Sequence, residues 1–418
     1  MSRITRVIRA CTLVGFLLTP WLSAVAAEPI KVGFSMALTG GLAVNGKQCL
    51  LALQIWRDDV NAKGGLLGRP VELVYYDDQS NPSNVPGIYT KLIDVDKVDL
   101  VVGPYATNMV APALPVIMQH NLVDVSIQAL DVNSEFHYGR YFATLPVGQN
   151  PKLAFAEGFF DIAKQVTPKP KTVAIVAADA EFSRNSADGA RLAIKNSDFQ
   201  IVYDKTYPPT TQDFAPIVRA VQATNPDIVF AAAYPPDTIG LIRAMSEVGF
   251  TPKMFGGTLI GLLASAPKAS LGPLINGAVI QETFMNAPTF NFPGVKELME
   301  KYQAKAPAEG VDPLGYSYAP AAYGAAQILA VAVEGTKSLD PAKLAEYLHS
   351  HTVTTVLGDL TFGANGEWAK SRVVYTQFQN VKGGNDVMQF KDPAKEPILW
   401  PAAFQTGKII YPYADAKK

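Results

Sequence analysis

The reactive side chains of this sequence are few and scattered. Its 4 His (His120, His137, His349, His351) and 2 Cys (Cys11, Cys49) stand apart, whereas a structural zinc site needs about four such ligands at close spacing. No G-x-S-x-G elbow, P-loop, H-E-x-x-H helix or C-x-x-C pair occurs, so the local signatures of those hydrolases, NTPases, metalloproteases and thiol oxidoreductases are missing. The four imidazoles read as surface or satisfied core groups, and Cys49 as a small buried residue on a helix face. Carboxylates abound, but no pair is singled out for acid–base work. One stretch does suit a ligand. The turn Gly40-Gly41-Leu42-Ala43-Val44-Asn45-Gly46 follows an apolar run and opens a helical one. It does not meet the G-x-G-x-x-G spacing of a dinucleotide loop. Backbone N–H groups at a helix start can nevertheless face a polar ligand in a cleft. The chemistry expected is non-covalent recognition, with no cofactor, no metal and no catalysis.

Recognition in a cleft needs lobes to make the cleft. The chain has 418 residues, and single cores stop growing near ~250–300 residues. Hydrophobic residues make up 48% and charged residues 17%, which excludes a disordered chain. Residues 1–27 read as a cleavable secretory signal peptide: Arg3, Arg6 and Arg9, an apolar run from Ala10 to Leu22, then Ala24-Val25-Ala26. The run is too short to span a bilayer comfortably, since about 20 residues are needed. Removing the leader takes 3 Arg from 36 basic residues and leaves 33 against 37 acidic, a net charge of −4. No electrostatic footprint for nucleic acid exists. The protein is expected to be exported. Cys49 is then the sole cysteine, so no internal disulfide can form.

Strand-like and helical patterns alternate along the rest. Ile30–Ala37, Val71–Tyr76, Asp99–Gly103 and Leu122–Ile127 read as strands, separated by helical stretches over Val44–Asn61, Asn84–Val95 and Thr107–His120. The pattern resumes after Pro146. Helices over Pro151–Val166, Arg184–Asn196, Asp213–Ala223 and Thr238–Val248 separate strands at Thr172–Ala178, Gln200–Thr206, Ile228–Ala233, Lys253–Gly256 and Ala278–Phe284. Such alternation means βαβ units with parallel sheets, and two successive series mean two sheets.

The most specific text is Asn61-Ala62-Lys63-Gly64-Gly65-Leu66-Leu67-Gly68-Arg69, followed by a strand and by Asp77-Asp78-Gln79-Ser80-Asn81-Pro82. With Gly33-Phe34-Ser35-Met36, Leu38-Thr39-Gly40 and Gly103-Pro104, it resembles the family of periplasmic solute-binding proteins for branched-chain amino acids. The likeness covers essentially the whole mature chain and is weakest in the last third. It implies an α/β fold of two doubly wound parallel-sheet lobes joined by three crossovers, the type I periplasmic binding protein. The implied division is residues 28–145 plus about 285–356 for the N-terminal lobe, 146–284 plus about 357–400 for the C-terminal lobe, and a C-terminal extension over about 401–418. It further implies a small-molecule ligand, an inner-membrane ABC permease and ATPase as partners, and a monomeric binder.

The family's binding positions carry over one at a time. The loop after the third strand, Tyr105-Ala106-Thr107-Asn108, is implied to hold a ligand carboxylate, with the Thr107 hydroxyl as donor; an N-cap role for Thr107 is the plainer alternative. Gln128-Ala129-Leu130 matches the second carboxylate-binding segment, with Leu130 where a hydroxyl residue is usual. Leu42 lies on the glycine-rich turn. Phe182 and Tyr234 match aromatic walls of the second lobe, against the alternatives of core packing and turn formation. Some members bridge two cysteines at positions matching Ser80 and Ala106; that bridge is missing here. Amino-acid binders commonly carry a Glu after Phe255-Gly256-Gly257, where this chain has Thr258. Either Asp131, Glu181, Asp237 or Glu282 supplies that charge, or the ligand lacks an amine. The function implied is periplasmic binding of a small hydrophobic or branched-chain amino acid for an ABC importer. The alternatives are an aromatic or aliphatic carboxylate or amide without an ammonium group, and a ligand sensor of the same fold.

Overall fold

The computed structural model describes residues 28–418; the expected signal peptide lies outside the described residues. Strand β1 (Ile30–Met36) leads into the helix Ala43–Ala62 and then β2 (Val71–Asp77). Asn61 fastens this unit together. Its side-chain amide donates to Val71 O (2.9 Å) and its carbonyl accepts from Val71 N (2.7 Å), so the helix end is tied to the start of β2. Arg69 donates to the carbonyls of Glu28 (2.8 Å) and Pro29 (3.2 Å), which aligns β1 beside β2. Gly65 has φ 82°, and a Cβ there would sit 1.8 Å from Arg69 O, so only glycine fits. The motif that carries the family resemblance is thus a structural clasp.

Strands β1 and β2 pair in parallel, and β3 (Leu100–Val101) adds on the other side in the order β2-β1-β3. Beyond it, β4 (Asp124–Ser126) and β5 (Tyr141–Ala143) form a parallel pair, linked through a Tyr105–Ile127 bridge. These strands, with the helices Val295–Glu309 and Ala319–Thr336, enclose the core of lobe one.

Lobe two is built on β6 (Thr172–Ala178), β7 (Gln200–Tyr207), β8 (Ile228–Ala233), β9 (Met254–Leu259) and β10 (Val279–Glu282), all parallel. Strand β6 is buried on both faces. Val173, Ile175 and Ala177 join one apolar cluster, Ala174, Val176 and Ala178 the other, as strand periodicity requires. The chain returns to lobe one for the hairpin β11 (Val353–Thr355) and β12 (Gly358–Leu360). It then closes the large sheet with two antiparallel strands, β13 (Val374–Gln377) and β14 (Ile398–Trp400), giving the order β14-β13-β10-β9-β8-β6-β7. The last residues fold onto lobe two. Tyr413 is buried against Phe255 at 5.7 Å between ring centroids.

The two-lobed α/β class expected from the sequence is the architecture found. Some local features differ. The single helix expected over Pro151–Val166 is two, Pro151–Ala154 and Glu157–Gln165. The helix expected over Asn84–Val95 starts at Val85 and finishes as a π-turn over Lys91–Val95. Strand β9 runs on past Gly256 to Leu259, which carries Thr258 into the sheet.

Candidate functional site

Past the C-terminal ends of β1, β3, β6 and β8, the chain turns into helices that start at Ala43, Thr107, Glu181 and Pro235. Those four starts converge from both lobes on one cleft of about 640 Å³. Its wall includes Leu42, Asn108, Met109, Glu181, Tyr234 and Asp237, all within a residue or two of a helix start. This is the place where open α/β sheets bind ligands, and the volume suits a small molecule.

The glycine-rich turn is set by the loop Asp77–Pro82. Asp77 accepts from the N–H groups of Leu38 (3.0 Å), Thr39 (3.3 Å) and Gln79 (2.8 Å) and from the Thr39 hydroxyl (2.7 Å). Partial burial opposes ionisation, but those bonds, led by Thr39, hold the Asp77 carboxyl below its ordinary value. Ser80 donates to Thr39 O (2.6 Å) and accepts from Leu42 N (3.0 Å). At this position, where the resemblance puts half of a cystine, the serine uses hydrogen bonds to hold the turn. Leu42 is thereby presented to the cleft.

The two carboxylate-binding loops implied by the resemblance are zipped to each other. Ala106 N donates to Ile127 O (3.1 Å), and Leu130 N donates to the Thr107 hydroxyl (3.0 Å). Ala106 has φ 83° and Gln128 φ 55°, backbone conformations that cost non-glycine residues energy and that cluster at functional sites. Tyr105 is buried, accepts from the Asn45 amide (2.8 Å) and meets Tyr318 edge-on at 5.3 Å. The Gln128 amide reaches Thr283 Oγ1 (3.2 Å), and Ala129 packs with Val110 and Leu114. From lobe two, Phe182 and Tyr234 stand 5.4 Å apart. Thr258 is buried in β9, hydroxyl to hydroxyl with Ser186.

Of the ten residues singled out from the sequence, Leu42 and Tyr234 line the cleft. The other eight (Tyr105, Ala106, Thr107, Gln128, Ala129, Leu130, Phe182, Thr258) are not among its lining residues. Thr107 is 1% exposed, and its oxygen accepts a backbone N–H. Sequence reasoning placed Asn108 in the binding loop but gave it no role of its own; its Oδ1 accepts from the Tyr234 hydroxyl (2.8 Å) and from Phe182 N (3.1 Å) across the lobes. It missed Asn185, whose amide donates to Leu130 O at 2.9 Å. An Asn at a helix start reads as an ordinary cap, so adjacency to Thr107 was the only available signal.

The four carboxylates named as substitutes for the acid missing at Thr258 have different surroundings. Asp131 faces Lys152 at 3.5 Å. Glu282 is buried beside Lys268 (3.8 Å) and the Ser317 hydroxyl (3.1 Å). Asp237 lines the cleft and accepts from Tyr207 (3.2 Å). Glu181 lines the cleft with no hydrogen-bond partner for its carboxylate among the described residues.

Two α/β lobes around a ligand-sized cleft ringed by helix starts define the class of two-lobed solute-binding proteins. The family model described as "Periplasmic binding protein" matches residues 29–385, and the chain belongs to that family. An amino acid binding protein of Pseudomonas aeruginosa is 25% identical over 86% of this chain and 92% of its own length. The Leu/Ile/Val-binding protein of Escherichia coli is 24% identical over 85% of this chain and 92% of its own. Among solved structures, a branched-chain amino acid transporter substrate binding protein from Streptococcus pneumoniae, in complex with isoleucine, aligns with TM-score 0.71 at 18% identity, over 90% of this chain and 100% of that one. A solute binding protein of an ABC transporter from R. palustris, in complex with 4-hydroxybenzoate, aligns with TM-score 0.73 at 19% identity, over 91% and 98%.

Proposed function

We propose that this chain is the periplasmic substrate-binding component of an ABC-type importer, taking a small hydrophobic or branched-chain amino acid into the interlobe cleft. The observation that carries this reading is the convergence of four helix starts, two from each lobe, on a single ligand-sized space. Relatives named for amino-acid binding along nearly their whole length support it. Binding works by closure: two rigid lobes swing about their crossovers and bury the ligand between them. The export address at residues 1–27, a monomeric binder, and delivery to an inner-membrane permease and ATPase complete the proposal.

A second reading is an aromatic carboxylate without an amine. Tyr234 on the cleft wall, and the lack of an acid at Thr258, where one is common in the family, favour it. A thermal-shift panel of leucine, isoleucine, valine, benzoate and 4-hydroxybenzoate tests both. A true ligand at 100 Kd adds about 2.7 kcal/mol of stability. A rise with the aliphatic amino acids supports the first reading. A rise with the benzoates alone replaces it with the second, and no response to any of the five overturns both.

A further inference from the structure

The cleft is longer than its ring of helix starts. Two helices carry its wall about one turn, roughly 5 Å, past their first residues. In lobe one the wall runs from Asn108 to Pro112, in lobe two from Glu181 to Arg184. Loops that open none of the four converging helices complete it. Lobe one supplies Pro82, and lobe two supplies Pro209 and Gln212 from the turn after β7.

The turn after β7 is built to stand there. Thr211 closes it, its N–H (3.0 Å) and its hydroxyl (2.7 Å) both donating to Pro208 O. Phe214 anchors it. That ring is buried, meets Tyr207 edge-on at 5.4 Å and rests on Gly240, where a Cβ would sit 2.3 Å from it. Gly240 needs no left-handed backbone, so its missing side chain serves this close approach. In lobe one, Pro82 is fixed by its neighbours: Asn81 Oδ1 accepts from Ser83 N and the Asn84 amide donates to Asp78 O, each at 3.1 Å.

The two parts of the cleft differ in chemistry. The helix starts offer backbone N–H groups suited to a polar head. The far part is walled by Pro82, Pro112 and Pro209, which have no N–H to satisfy and a fixed φ. It is an apolar slot that is already ordered, so filling it costs little conformational entropy. The whole cleft, about 640 Å³, lies within the ~300–1,000 Å³ that encloses drug-sized ligands. A free amino acid seated at the helix starts leaves the proline-walled part unfilled.

We propose that the cleft takes ligands longer than a single amino acid, with a polar head at the helix starts and a second apolar group, an alkyl side chain or an aromatic ring, in the slot between Pro82, Pro112 and Pro209. Gln212 stands at the edge of that slot and limits its length. This deepens, and rests on, the solute-binding reading above: the head binds as proposed there, and the slot selects for what the head carries.

The test is titration calorimetry on the mature chain with two pairs that keep the head and add the second group: leucine against leucyl-leucine, and benzoate against biphenyl-4-carboxylate. In at least one pair the long member is expected to bind about tenfold or more tighter, as burial of a further apolar side chain or ring gives. Gln212→Trp crowds the slot, and Pro209→Asp puts a charge in it. Both positions are exposed, so thermal midpoints should stay near the native value, and at least one substitution should close most of the gap between long and short. Long members that bind no tighter than their short partners, or a gap that both substitutions leave intact, overturn the inference while the solute-binding reading stands. Silence from all four compounds and from the five of the panel above overturns that reading, and this inference with it.

Discussion

On the cleft side, lobe one meets lobe two mainly through neutral groups, the Tyr234 hydroxyl and Phe182 N on Asn108 and the Asn185 amide on Leu130 O, beside one partly exposed ion pair, Asp131 with Lys152 at 3.5 Å. Near the expected crossover at residues 284–285, the hinge side, the lobes meet over buried charge. Lys268 pairs with Glu396 at 2.8 Å and stands 3.8 Å from Glu282. Lobe one caps this cluster: the Ser317 hydroxyl bonds Glu282 and Leu263 O (each 3.1 Å), and Asp312 accepts from Ser265 N. Neutral single bonds are worth about 0.5–1.5 kcal/mol each, whereas a buried charge that loses its partner costs several. In the closure mechanism proposed above, the cleft side is therefore the side expected to open at small cost, since an exposed ion pair adds only about 0–1 kcal/mol, while the other side stays joined.

The hinge cluster gives the largest expected effect. Burial alone lowers the proton affinity of Lys268; Glu396 and then Glu282 outweigh it and hold the ammonium above its ordinary value. Glu282 is pushed well above the ordinary carboxylate range by burial and by Glu396, with Lys268 pulling the other way. Lys268→Met strands two buried carboxyls and should cost about 3–5 kcal/mol in urea denaturation at pH 7.5. The sign with pH follows from Glu282. A carboxyl whose folded pKa is raised contributes stability that is fully present below its unfolded value, near ~4.3, and lost as pH rises. Without the lysine this loss deepens, so the penalty of Lys268→Met should shrink on acidification toward pH 5. A penalty that stays constant with pH would show that Lys268 matters as packing rather than charge.

A middling effect is expected at the buried Thr107. Its hydroxyl is the acceptor for the buried N–H of Leu130. Thr107→Val keeps the volume and strands that N–H, a loss of about 1–3 kcal/mol; Thr107→Ser should restore most of it. If urea midpoints of Thr107→Val match those of the native chain while ligand affinity falls, then the hydroxyl serves the ligand and not the loop.

The two sides also differ in how legible they were. The clasp at Asn61–Arg69 and the loop at Asp77–Pro82 could be recognised in the sequence because backbone geometry dictates them: a glycine with no room for Cβ, an amide paired to one strand residue, a carboxylate under three N–H groups. Strands β6 and β8 were equally plain, since a strand buried on both faces must be apolar throughout. The antiparallel strands β13 and β14 were not read, being four and three residues long with no helical crossover between them to mark a unit. The cleft was legible only as loops. Which residues of a loop face a ligand depends on closure contacts made some 75 to 125 positions away, such as Asn108 with Phe182 and Tyr234. No local pattern encodes them. Thr107 and Thr258 illustrate the point: each has the residue type of a ligand contact, yet each is bonded to protein.

The smallest effect lies at the latch itself. Tyr234→Phe removes one neutral bond to Asn108 and keeps the ring against Phe182. Asn108 retains its bond from Phe182 N, so no buried acceptor is left bare. The expected loss is about 0.5–1.5 kcal/mol, taken from closure and not from folding, because neither lobe's core is touched. That corresponds to roughly a two- to tenfold shift from closed toward open. Small-angle scattering should show a larger radius of gyration at an almost unchanged thermal midpoint. A midpoint that falls as far as that of Lys268→Met, at constant radius, would mean that the cleft side holds the fold as firmly as the hinge does, and the contrast between the two sides would fail.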